Sequence, residues 1–152
     1  MDCTIRQYAE RDFAALCDFE RALSPRECKP AVFIRQSGVL FPDTFFVAEK
    51  NGAIVGYSIG AFVQRAPARA WIIRLGVREA ERRQGVGEYL LKTVIAALCT
   101  AGAREVLLSV SPDNRPARNL YEKHGFVAIG RHDAYFEEGE DRLIMQKTFP
   151  PA

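Results

Sequence analysis

Gly85 and Gly87 stand at the head of an apolar helical run, directly behind Arg82, Arg83 and Gln84. Glycine costs a helix interior up to about 1 kcal/mol relative to alanine, so stability alone does not ask for this pair. A bare backbone at a helix start has a chemical use, because unpaired N–H groups and the positive end of the helix dipole converge there and bind phosphate. The two glycines let a phosphate approach the main chain, and Arg82 and Arg83 supply charge. Two phosphate motifs are excluded by single residues. A Walker A loop requires Lys and then Ser or Thr after its last glycine, where Glu88 and Tyr89 follow; a dinucleotide fingerprint requires a third glycine where Leu90 stands. Taken without its surroundings, the pair also fits a solvated charge cluster beside a turn. Metal chemistry has little support: Cys3, Cys17, Cys28 and Cys99 show no C-x-x-C pairing, and neither His124 nor His132 has a partner at ligand spacing.

The elements around this stretch follow from periodicity. Thr4 to Tyr8 alternates as a short strand, and ERDFAALCDFERAL sets Phe13, Leu16, Cys17 and Leu23 near one helical face, with a stop before Ser24-Pro25. Cys28 to Gly38 reads as a second short helix whose limits Pro30 leaves open. TFFVAEK and AIVGYSIGAFV are strands joined by Asn51-Gly52, a strong hairpin signal. A third strand, Ala70 to Val77, feeds the glycine stretch, whose helix ends at Ala101-Gly102. A strand over Glu105 to Val110 follows. In SPDNRPARNLYEKHGF, Asn114 caps a helix, Pro116 fits its first turn, and Gly125-Phe126 close it in a Schellman-like stop. Strands from Phe126 to His132 and Arg142 to Thr148 complete the chain. Such an order predicts an α/β sandwich, a mixed sheet with helices on its faces.

Bulk properties narrow the class. With 152 residues, 48% of them apolar, the chain reads as one soluble globular domain over residues 1–149 with a short tail at 150–152. A net charge of +2 without a clustered basic stripe argues against nucleic acid. There is no secretory leader pattern and no apolar run long enough to span a bilayer, so a cytoplasmic protein with no membrane partner is expected.

LGVREAERRQGVGEYLL, a strand ending in Gly76-Val77 followed by Arg82, Gly85 and Gly87 in R-x-x-G-x-G and then a helix, resembles the acetyl-CoA signature of the GNAT superfamily of N-acetyltransferases. Downstream, Asn114, Ala117, Leu120, Tyr121, Gly125 and Phe126 are similar to that family's N-x-x-A-x-x-L-Y-x-x-x-G-F segment. The likeness is strongest from about Ala70 to Thr148, and the chain resembles the ribosomal-protein-alanine acetyltransferase-like branch without its fifth-strand glutamate. It implies a mainly antiparallel sheet whose central strands splay, with pantetheine along Leu75, Gly76 and Val77 and the pyrophosphate on the amides of Arg83, Gln84, Gly85, Val86 and Gly87. Arg82 and Asn114 join this cofactor set.

Taken alone, Tyr121 beside Leu120 is more often a core aromatic on an amphipathic helix than a catalyst. Within the resemblance it is the acid that protonates the departing thiol, since a phenol near pKa 10 is close to a thiol near 8.5. Family members often carry a glutamate base in the fourth or fifth strand; here Trp71 and Ser109 occupy those places. Deprotonation then runs through ordered water or through Asp133, Glu137 or Glu138. The loop DAYFEEGED, with Asp133, Tyr135, Glu137 and Glu138 as acceptor-binding candidates, either steers a cationic amine or is a solvated hairpin tip. The implied activity is acetyl-CoA-dependent transfer to a primary amine, a protein N-terminus, a lysine or a small amine, and a homodimer is compatible with it. A noncatalytic acyl-CoA-binding module is the alternative.

Overall fold

The computed structural model describes residues 2–24 and 29–150. Strand β1 (Thr4–Gln7) leads into helices α1 (Phe13–Leu23) and α2 (Pro30–Leu40), then strands β2 (Phe45–Lys50), β3 (Ala53–Val63) and β4 (Ala66–Val77). Helix α3 (Val86–Thr100), strand β5 (Glu105–Val110), helix α4 (Arg115–Lys123) and strands β6 (Val127–His132) and β7 (Arg142–Thr148) follow, in the expected order. Pro25 and Cys28, which marked expected helix limits, lie outside the described residues. Helix α2 takes Pro30 as its first residue, where a missing N–H goes unnoticed, and runs on to Leu40. Among the described residues no helix is long and apolar enough to cross a membrane.

All seven strands join one sheet in the order β1-β2-β3-β4-β5-β7-β6. Asn51 and Gly52 close the β2–β3 hairpin with φ of 53° and 79°, the left-handed pair a type I′ turn requires. Strand β4 starts at Ala66 rather than at Ala70, because Pro67, Ala68 and Arg69 are exposed and give no apolar alternation to read. Its neighbour β5 is the one parallel partner, and the two pair only at Arg69–Glu105, Ala70–Val106 and Trp71–Leu107. Directly beyond, Gly60 faces Ile72 while Ile59 faces Arg74, which makes Ile73 an extra residue in β4. A bulge bends and twists its strand, and from Ile72 to Val77 the β5-side edge of β4 has no strand partner among the described residues. The central strands are splayed there.

Apolar layers cover both sheet faces. Helix α3 sets Leu90, Leu91, Val94 and Leu98 against Ala48, Val55, Ala70 and Ile72; each such fully buried side chain contributes roughly 1.5–3 kcal/mol. On the other face Leu16 and Cys17 of α1 and Ile34 of α2 meet Phe45, Val47, Tyr57 and Ile59. Phe13 and Leu23, expected on the inner face of α1, are half-buried. A carboxylate takes an inner position instead. Glu20, only 4% exposed, accepts from Tyr57 Oη at 2.9 Å and from Arg74 Nη2, which also donates to Ser24 Oγ at 3.2 Å. This network ties the end of α1 to the splayed part of β4. Arg74→Met removes the cation and leaves Glu20 buried without it, so a loss of about 3–5 kcal/mol is expected in denaturant unfolding. A loss under about 1 kcal/mol would contradict a buried, paired Glu20.

Candidate active site

Beyond Val77 the chain makes a short 3-10 turn, Glu79–Glu81, fixed by Arg78 and Lys50 donating to Glu81 at 2.9 and 3.1 Å. Arg83 then adopts φ 66° and Gly85 φ 86°, so the main chain curls before α3 begins. A non-glycine residue at positive φ is uncommon and accumulates at functional sites. Gly85 is the N-cap and supplies no side chain, and its carbonyl accepts from Tyr89 N at 3.0 Å. The amides of Gly85, Val86, Gly87 and Glu88 therefore have no acceptor among the described residues, and they point out of the helix start with the dipole behind them.

Gly87 is not required by the fold. An added Cβ would meet Val77 Cγ2 at 3.5 Å and Leu120 Cδ2 at 3.7 Å, ordinary contact distances. Gly76 differs: a Cβ there would lie 2.7 Å from Leu23 Cδ2, so the Leu23 side chain would have to shift to admit it. Arg82 Nε donates to Val77 O at 3.3 Å, and both Arg82 and Arg83 are exposed at the rim. Glu88, an acid facing the same turn, is neutralised by Lys123 at 3.1 Å and Lys92 at 3.4 Å; Lys123 is the main reason its carboxyl sits below the usual range. The cradle thus fits a pyrophosphate by its free amides, its bare Gly87 and its balanced acid.

Helix α4 places Tyr121. Asn114 Oδ1 accepts from Ala117 N at 3.2 Å as N-cap. At the other end Phe126 N donates to Tyr121 O at 3.0 Å and Gly125 N to Glu122 O at 3.1 Å, a Schellman pair with Gly125 at φ 90°. Asn114 itself is exposed. Tyr121 is 7% exposed, packed on the Phe126 ring at 5.9 Å. Burial pushes its phenol up to about 12, while the charges of Arg142 and Arg74 pull the other way. It is a weaker acid than free tyrosine, not the near match to a thiol that its type suggests.

The two places where the resemblance implies a glutamate hold none. Trp71 sits in the last β4–β5 pair, and Ser109 Oγ accepts from Arg142 Nε at 3.2 Å while Ser109 O accepts from Arg142 Nη2 at 2.9 Å. A guanidinium stands beside the position of the missing base. In the β6–β7 loop, Arg131 pairs with Asp133 at 2.9 Å and Asp141 at 3.0 Å, and Ala134 N donates to Asp141. The Tyr135 ring lies tilted against those of His132 and Phe136, with centroids 5.2 and 5.0 Å away. Glu137 and Glu138 are exposed at the tip. The sequence reading missed Arg142, Arg74 and Glu20. Their signal was a single charge on a strand or helix face otherwise apolar, a weak one for long side chains that reach water easily.

A splayed mixed sheet with an amide cradle at one end of the gap and a buried tyrosine beside it defines an acyl-transfer enzyme of the GNAT type. The model of the acetyltransferase (GNAT) family matches residues 8–126, and the chain belongs to that family. It is 31% identical over 149 residues to an uncharacterized N-acetyltransferase of Methanocaldococcus jannaschii, covering 97% of this chain and 93% of that one. Over 105 residues it is 33% identical to a putative [ribosomal protein bS18]-alanine N-acetyltransferase of Bacillus subtilis, covering 68% of each. Ard1 of Thermoplasma volcanium superposes with a TM-score of 0.88 at 25% identity, over 99% of this chain and 100% of that one.

Proposed function

We propose that the protein moves an acetyl group from acetyl-CoA to a primary amine, a peptide N-terminus, a lysine or a small amine, by direct attack while both substrates are bound. The observation that carries this is the run of unsatisfied amides at Gly85–Glu88 beside helix α4, whose Leu120 approaches Gly87 and whose next residue is the buried Tyr121. Acetyl-CoA supplies an activated acetyl thioester when bound. The protein's part is to hold and orient. Amides from Arg83 to Gly87 with Arg82 grip the phosphates, and the free edge at Leu75, Gly76 and Val77 lies along the gap. Tyr121 keeps its proton and presents it to the departing sulfur. With Trp71 and Ser109 in place of acids, the amine is deprotonated by solvent, and Glu137 and Glu138 draw the cationic form toward the mouth.

Thiol release measured across a panel of amines, with products identified by mass, tests this reading. Amine-dependent release is expected; acetyl-CoA binding without release from any amine would leave only a binding module. The pH profile is a separate expected outcome. An acceptor α-amine loses its proton near pH 8, so kcat/KM climbs through that region. Tyr121, raised to about 12, stays protonated throughout. No falling limb is therefore expected below about pH 10, and one near pH 8 would remove Tyr121 as the proton carrier.

A further inference from the structure

Arg142 carries a charge that the proposed chemistry does not use. It opens β7 opposite His132, and the flanking register pairs Ser109 with Ile144 and Val110 with Leu143. Val110, Leu143 and Met145 face the α3 layer, so by strand alternation Ser109, Ile144 and Arg142 lie on the other face, the α1 side of the sheet. Two donations to Ser109 fix the guanidinium at the β5 edge of the splay, within electrostatic reach of Tyr121. Its remaining donors have no carboxylate within 4.0 Å among the described residues, although every other partly buried arginine pair on that face, Arg74–Glu20 and Arg6–Asp12, is matched. Glu140 acts on it only from a distance, Arg74 repels it, and burial disfavours its charge. Phe136 stacks on it at 5.3 Å while remaining 63% exposed.

A half-buried cation held rigidly without a counter-ion is costly in the protein alone. The planar fork of a guanidinium matches a carboxylate. We propose that Arg142 determines acceptor specificity by binding a carboxylate that the amine substrate carries close to the nitrogen to be acetylated. The inference rests on the acetyltransferase reading above and names its substrate class. With serine rather than an acid at position 109, the residue that the guanidinium touches carries no charge to repel that carboxylate. Ammonium and carboxylate on one acceptor also suit an exposed acidic loop tip above a cationic floor.

Binding of acetylated products to protein saturated with coenzyme A, followed by calorimetry, tests the site without turnover. One arm compares N-acetylglutamyl-alaninamide with N-acetylglutaminyl-alaninamide, a side-chain carboxylate against its amide. The other compares N-acetylalanine with N-acetylalaninamide, an α-carboxylate against its amide. In one arm the carboxylate is expected to bind about 10- to 100-fold tighter, and the arm that shows it identifies the source. Arg142→Gln erases the preference, Arg142→Lys restores part of it, and coenzyme A affinity is unchanged in both. Ser109→Ala, which keeps the charge and loses one anchor, blunts the preference by a smaller factor and serves if Arg142→Gln fails to fold. Equal binding of acid and amide in both arms, or a preference that survives Arg142→Gln, overturns the inference. Amines acetylated without any carboxylate preference defeat this site alone; a preference without acetylation of any amine defeats the reaction alone.

Discussion

Tyr121→Phe is expected to lower kcat by roughly 10²- to 10⁴-fold, the range general acids contribute, while acetyl-CoA affinity and stability stay near wild type. The ring does the packing: it lies on Phe126 at 5.9 Å within the main apolar cluster, and phenylalanine keeps all of that surface. Burial and the charges of Arg142 and Arg74 act on the hydroxyl, and among the described residues it has no hydrogen-bond partner. Removing the hydroxyl therefore leaves no buried group unpaired, so a change in unfolding free energy within about 0.5 kcal/mol is expected. Because the phenol sits near 12, it donates only as negative charge builds on the sulfur, and the variant's loss falls on kcat rather than on KM. Wild-type kcat in a folded Tyr121→Phe protein, measured alongside cofactor affinity and Tm, would end this assignment. Lost activity accompanied by a lost Tm would instead make Tyr121 a core residue.

At Gly87 stability and binding are expected to move in opposite directions. Gly87→Ala places a methyl group at ordinary contact with Val77 and Leu120 and fills a helical position better than glycine, so the protein gains up to about 1 kcal/mol. On the proposed reading the phosphates lie on the free amides of Gly85–Glu88, so the same methyl group is expected to lower affinity for acetyl-CoA. Gly87→Asp adds a like charge to that obstruction and weakens binding by about 100-fold or more, since juxtaposed like charges cost several kcal/mol. Titration calorimetry and thermal unfolding on both variants check the pair. Unchanged affinity for the aspartate variant would place the phosphates elsewhere.

The cradle and the element order were legible in the residues because both are local. A glycine at a helix start, an Asn-Gly hairpin and an Asn114 cap each act through main chain within a few positions, and the structure shows the hairpin and the cap in the form their residue types dictate. The limits of α2 and the start of β4 were less legible, because Pro30 opens a helix as readily as it breaks one and exposed residues 67–69 carry no periodicity.

What the sequence by itself determined is the family, the run of strands and helices, and the backbone chemistry of the glycine turn. Tertiary structure alone decided the electrostatics of the gap. Arg142 meets Ser109 across 33 positions and Arg74 meets Glu20 across 54, contacts created by sheet order and by the splay after Trp71 rather than by spacing along the chain. The acidity of Tyr121 was decided the same way, since burial raises it and distant arginines lower it. Backbone conformation is set by near neighbours, but a side chain's charge environment is set by whichever strands the fold lays beside it.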